Sequence, residues 1–302
     1  MITEAIALIV AAFICELIDS SLGMCYGTIL SPLLLIAGYE PLAVVPSILF
    51  SQAIGGLVAS RIHHALRNVD FSIESGVMKR LEDLGYIESF RRSTSRDLKV
   101  VFAVTTLGVI ATVIAALTAI SVPKTALKTY IGILILAMGI VLLLRSRFEF
   151  SWRRILGIGV LSAFNKGISG GGFGPVVTSG QMMCGRRSRN SIGATALSEA
   201  PICIVGFLTY LIRKGIPRWD LVLLLSLGAI VGAIIGPHIT AKFKAEEKIR
   251  VGLGVLVTLL GLWTLVKTWL ILKPGRCRQH ACGPLAKAVY FIARDGCGGG
   301  SG

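Results

Sequence analysis

Lys166 stands inside an apolar stretch, Ala163–Gly180 (AFNKGISGGGFGPVVTSG), together with Asn165, Ser169, Pro175, Thr178 and six glycines. An ammonium beside a glycine run is a donor set suited to an anion. Gly170, Gly171 and Gly172 carry no side chain, so their N–H groups can come close to a ligand. Asn165, Ser169 and Thr178 add side-chain donors. A helix broken here would also aim the positive end of its second half at a bound negative charge. A second polar group, Asp19, Ser20, Ser21 and Gly23, lies in DSSLGMCYG. Two polar pairs, Ser51–Gln52 and Ser198–Glu199, interrupt later apolar runs. A carboxyl in apolar surroundings readily holds a proton, so Glu199 is the candidate for proton coupling. Asp19 is expected either to cap the helix after its break or to pair with Lys166, with Glu16 on the same helix face.

The elements that must hold these residues are apolar. The 302 residues are 54% hydrophobic and 16% charged, with a mean hydropathy of +0.76, well below the roughly 25% charge of soluble domains. Runs near spanning length recur at residues 2–18, 42–60, 100–122, 127–144, 192–212, 221–239 and 251–272, and a span needs about 20 such residues. The fold class is therefore an all-α polytopic membrane protein, with the lipid bilayer as its surroundings and the plasma membrane as its expected location. The net charge is +15, but its basic residues sit mainly between the apolar runs, which reads as topology. No basic region with stacking aromatics supports a nucleic-acid partner. The first run lacks a positive n-region and an A-x-A site, so a removable signal peptide is not expected. Cys15, Cys25, Cys184 and Cys203 read as packing residues. Cys277, His280 and Cys282 match no strong zinc spacing, and no metal site is assigned.

A shift of 147 residues places Gly23 on Gly170, Gly27 on Gly174, Gly38 on Gly185 and Ser51–Gln52 on Ser198–Glu199; a shift of 120 pairs Leu107–Gly108 with Leu227–Gly228. The chain thus divides into pseudo-symmetric repeats at 1–150 and 151–272, followed by a flexible tail, 273–302. Each repeat holds one broken segment and three straighter helices. A polar insertion at about 65–98 accounts for the change of register, and Val77, Leu81, Leu84 and Ile87 give it an amphipathic helix. Residues 4–37 would span about 50 Å as one helix, too long for one crossing. If both broken segments are re-entrant, the halves are inverted, with 19 basic loop residues on one face and 5 on the other; four full crossings per repeat give 15 and 9. Adding the tail leaves these alternatives level, at 19 to 10 and 20 to 9. Inverted repeats are the expected arrangement.

GISGGGFGPVV at Gly167–Val177, its partner DSSLGMCYGTILSPLLL at Asp19–Leu35, and the following S-Q and S-E pairs resemble the sulfite exporter TauE/SafE family of membrane permeases. The resemblance implies transport of small sulfur-containing anions, such as sulfite, sulfonates or related organosulfur anions, with no bound cofactor. Met24 and Cys25 stand where the second repeat has Gly171 and Gly172, so the two half-sites are expected to be unequal. Two other readings stay open. Gly167–Gly170 fits G-x-S-G, so Ser169 with His238 could form an intramembrane serine protease; the same anions could also pass through a channel. His63 and His64 are expected at the membrane interface. Gly228, Gly232 and Gly236 form a small-residue stripe suited to packing within the protomer or in a homodimer.

Overall fold

The computed structural model describes residues 2–72, 95–143, 152–183, 186–242 and 246–271. Among them every regular element is helical. The first half contains α1 (Ile2–Leu22), α2 (Tyr26–Ala37), α3 (Pro41–Ala65), α4 (Arg96–Ser121) and α5 (Lys124–Leu143). The second contains α6 (Trp152–Ser169), α7 (Phe173–Met183), α8 (Ser188–Lys214), α9 (Trp219–Lys242) and α10 (Glu246–Val266), which ends in a π-helical turn, Lys267–Ile271. Among the described residues, five helices are long and apolar enough to cross a membrane: α1, α3, α8, α9 and Asp97–Ser121 of α4. Exposed residues such as Ile6, Val10, Ile14, Leu223, Leu227 and Val231 turn outward, as they must where lipid is the solvent. The chain is an all-α polytopic membrane protein.

Left-handed backbone ends the first helix of each half. Gly23 and Cys25 have φ of 72° and 108°, and Gly170 and Gly172 have φ of 75° and 81°. These positions correspond under the 147-residue shift. Such angles cannot continue a right-handed helix, and they are costly for a residue with a Cβ such as Cys25.

Each break reverses the chain. Tyr39 donates its hydroxyl to Glu4 Oε1 (2.6 Å), so α2 returns to the end where α1 begins. In the second half α6 runs alongside α4 in the same direction, with Gly159 against Val104 and Gly167 against Thr112. Arg186, just beyond α7, pairs with Asp97 in the first turn of α4, so α7 also returns to its starting end. The two mouths lie at opposite ends of the bundle. Helix α3 leaves from the first, and Asp70 beyond it donates its N–H to Asp97 (3.1 Å) at the second.

Helices of the two halves are interleaved. α1 packs along α9 and α6 along α4; α3 lies against α8 and α9, α8 against α3 and α4, and α5 against α10. Exchanging the halves reproduces this pattern. The glycine stripe is spent inside the protomer: Gly228 faces Ile9 and Ala12, Gly232 faces Phe13 and Leu17, and Gly236 faces Ser20. Without side chains there, α1 can approach α9 closely. The amphipathic segment with Val77, Leu81, Leu84 and Ile87, together with Cys184, Cys277, His280, Cys282 and the tail, lies outside the described residues.

Candidate functional site

The two breaks cross in contact, and the ionic residues gather beside the crossing. Lys166, on the last turn of α6, is 1% exposed. Its Nζ lies 2.7 Å from Glu199 Oε1 on α8 and donates to Gln52 Oε1 on α3. Gln52 Nε2 in turn donates to Asp19 Oδ2 on α1 (2.9 Å), and the Tyr26 N–H donates to Asp19 Oδ1 (3.2 Å). A continuous polar chain therefore runs Glu199–Lys166–Gln52–Asp19–Tyr26. Asp19–Gln52 and Lys166–Glu199 are equivalent pairs under the 147-residue shift. The Lys166–Gln52 bond joins one half to the other.

Burial makes these contacts matter. Gln52 and Glu199 are 2% and 3% exposed, and Glu16 is 1% exposed; Asp19 is half-buried. A charge in such surroundings needs a partner, and Lys166 has two. The direct Asp19–Lys166 pair considered from the sequence does not form, because Gln52 reaches between them. Asp19 accepts the first N–H of α2, an end of helix that otherwise lacks acceptors.

Other expected ligands are turned to structural work. Gly170 N–H donates to the Lys166 carbonyl (2.8 Å), Gly171 N–H to Ser169 Oγ (3.0 Å) and Gly172 N–H to Thr28 Oγ1 (3.2 Å). The amides expected to meet a ligand are thus engaged by protein, because the breaks press together: Gly171 meets Gly27, and Gly174 meets Gly23 and Met24. Thr178 donates to the Gly23 carbonyl (2.7 Å), and Ser31 donates to the Ser169 carbonyl (2.8 Å). Asn165 Oδ1 accepts from Tyr130 (2.7 Å). Ser51 accepts from the Tyr26 hydroxyl (2.7 Å) and itself bonds the Ile48 carbonyl. Ser20 and Ser21 bond to carbonyls of their own helix, as does Ser198; hydroxyls on helices commonly do so.

Three further groups of residues can be placed. His63, in the last turn of α3, is fully buried against protein, donating through Nε2 to the Ser20 carbonyl (2.8 Å) while its Nδ1 accepts from Asn68 (3.1 Å). Ser169 and His238 are not brought together. The serine hydroxyl bonds the Asn165 carbonyl (2.8 Å), whereas exposed His238 bonds the Ile234 carbonyl on α9. Cys15, Cys25 and Cys203 are free and buried, in keeping with packing.

The family profile described as Sulfite exporter TauE/SafE matches residues 83–264, more than half of the chain. The chain belongs to the TauE/SafE family. It is also similar to a protein of Bacillus subtilis (strain 168) named "Probable membrane transporter protein YtnM", with 26% identity over 282 residues, covering 87% of this chain and 84% of that one. No solved structure matches.

Within this TauE/SafE chain, some of the residues holding the site were not singled out from sequence. Tyr210 donates to the Gly167 carbonyl (2.9 Å), locking the helix that carries Lys166. His63 and Tyr210 are 147 residues apart, and so are their acceptors, Ser20 and Gly167. Comparing donors under the shift, rather than identical residues, would have found the pair. Tyr26, Thr28 and Ser31 lay in the aligned segment but carried no charge to attract notice.

Proposed function

We propose that this membrane transporter is a secondary carrier of small sulfur-containing anions, such as sulfite, sulfonates or related organosulfur anions, placed in the plasma membrane. The observation that supports this reading is Lys166: a buried ammonium beside the crossing of two broken helices, held by partners that an anion could replace. An oxyanion takes the place of Glu199 on Nζ. Gln52 and the donors freed when the breaks part, among them Gly171 and Gly172 N–H and the side chains of Asn165 and Ser169, complete its shell. Paired broken helices in inverted repeats suit alternating access, in which one half rocks against the other around a central site.

Flux of radiolabelled sulfite or methanesulfonate into proteoliposomes tests the reading. Saturable uptake that accelerates with unlabelled anion inside, and is lost in Lys166→Ala, is the expected result. No flux of any sulfur anion, or Lys166→Ala behaving like the native chain, would overturn it.

A further inference from the structure

Glu16 is the carboxyl that the ionic chain leaves out. It lies one turn before Asp19 on α1, is 1% exposed, and its Oε2 has no hydrogen-bond partner, alone among the buried side-chain polar atoms of the described residues. A Cβ added at Gly55 on α3 would come within 3.0 Å of the Glu16 carboxyl carbon and 3.2 Å of Oε2. Helix α9 presents Gly232 to the Glu16 Cβ. The titratable groups that act on Glu16 are Cys15 and Asp19 on its own helix, Tyr26 from α2, Lys166 from α6, and Glu199 and Cys203 from α8. Lys166 is the single cation among them, and it is already engaged by Glu199 and Gln52. One ammonium therefore faces three carboxyls, Glu16, Asp19 and Glu199, and full ionisation would leave two uncompensated negative charges.

A buried carboxyl with neither cation nor donor takes a proton instead of staying charged. Among the described residues no group of three or more His, Cys, Asp or Glu side chains gathers in a way that could hold a metal ion. We propose that Glu16 is the proton-binding site of this carrier, and that one proton travels with each anion. The inference rests on the transport reading above. Its sign follows from linkage. An anion on Lys166 adds negative charge next to Glu16 and strengthens proton binding there; by reciprocity, a proton on Glu16 strengthens anion binding. The two solutes therefore move in the same direction. Half-buried Asp19, one turn along the same helix face, is the relay between water and Glu16: a proton taken by Asp19 from water passes to a Glu16 oxygen, and Asp19 returns to its anionic form.

The test uses full-length protein in proteoliposomes with radiolabelled methanesulfonate, whose charge is constant across the working pH range. Equal-pH counterflow reads transport alone. A one-unit pH gradient, acid on the supply side, reads coupling and should concentrate the anion up to about tenfold for one proton per anion. Glu16→Gln should keep counterflow and fall to no accumulation. Glu16→Asp, the second variant, should keep gradient-driven uptake with a displaced pH midpoint. Absence of counterflow in the native protein with both methanesulfonate and sulfite overturns the transport reading and the coupling with it. Counterflow that ignores pH, that follows a sodium gradient instead, or that stays gradient-driven in Glu16→Gln overturns the coupling alone.

Discussion

Lys166 is held from two sides, and removing either partner has a distinct consequence. Glu199→Ala leaves the ammonium with Gln52 only, and breaking a buried pair costs about 3–5 kcal/mol. Replacing both members by apolar residues of similar size can be neutral or stabilising. Lys166→Met with Glu199→Met should therefore melt near the native temperature while transporting nothing, whereas Glu199→Ala should melt much lower; thermal unfolding in detergent and flux measure the two. Tyr210→Phe strands the buried Gly167 carbonyl and should cost about 1–3 kcal/mol with less effect on the anion's affinity than on stability. The charged members of the site were legible in the sequence, since a charge inside an apolar run is conspicuous. Their pairing was not. Whether Lys166 meets Asp19 or Glu199 depends on how α3 and α8 seat against the breaks, which residue spacing within one helix does not encode.

At the scale of the helices, the crossing of the two hairpins depends on glycines that nothing larger can replace. Gly27 and Gly174 touch the backbone of the opposite break, at Gly170–Gly171 and Gly23–Met24 respectively. Gly174→Ala should therefore overpack the crossing and cost about 1–3 kcal/mol, lowering the melting temperature and the yield of folded protein. Gly157, on the exposed part of α6, would bring an added Cβ to nothing within 4 Å. Gly157→Ala should instead raise stability by about 0.5–1 kcal/mol, through helix propensity alone. If both substitutions proved neutral, the contact between the breaks would not exist as described. The glycine runs announced that the helices are interrupted, and the 147-residue register related one interruption to the other. What they did not convey is that the bare amides are met by Thr28 and Ser169 rather than left open to a ligand. That outcome depends on how far each hairpin inserts past the other, a long-range property.

Across the whole molecule, a charged contact ties the mouth of each hairpin to a neighbouring helix, at opposite ends of the bundle. At one end Glu40, between α2 and α3, meets Lys124 at the start of α5 (2.7 Å), with side chains 59% and 57% exposed. At the other, Arg186 pairs with Asp97, and Asn190 donates to the same carboxylate (2.7 Å). The first contact is screened by water and contributes at most about 1 kcal/mol, whereas the second is largely buried and holds more tightly. In a carrier that opens one end at a time, each contact must separate once per cycle. A short bifunctional maleimide spanning Glu40→Cys and Lys124→Cys should therefore halt flux, while a monofunctional reagent of the same size should leave it running. The comparison belongs in a background where neither reagent alters flux of the unsubstituted protein. Asp97→Asn, which keeps the shape but removes the charge that pairs with Arg186, should instead loosen the opposite end and, with Arg186 kept, make a cysteine placed at buried Ser191 (Ser191→Cys) react faster with a water-soluble thiol reagent. Flux that continues unchanged through the cross-linked first mouth would show that this end stays closed during transport, and alternating access between these two mouths would have to be abandoned.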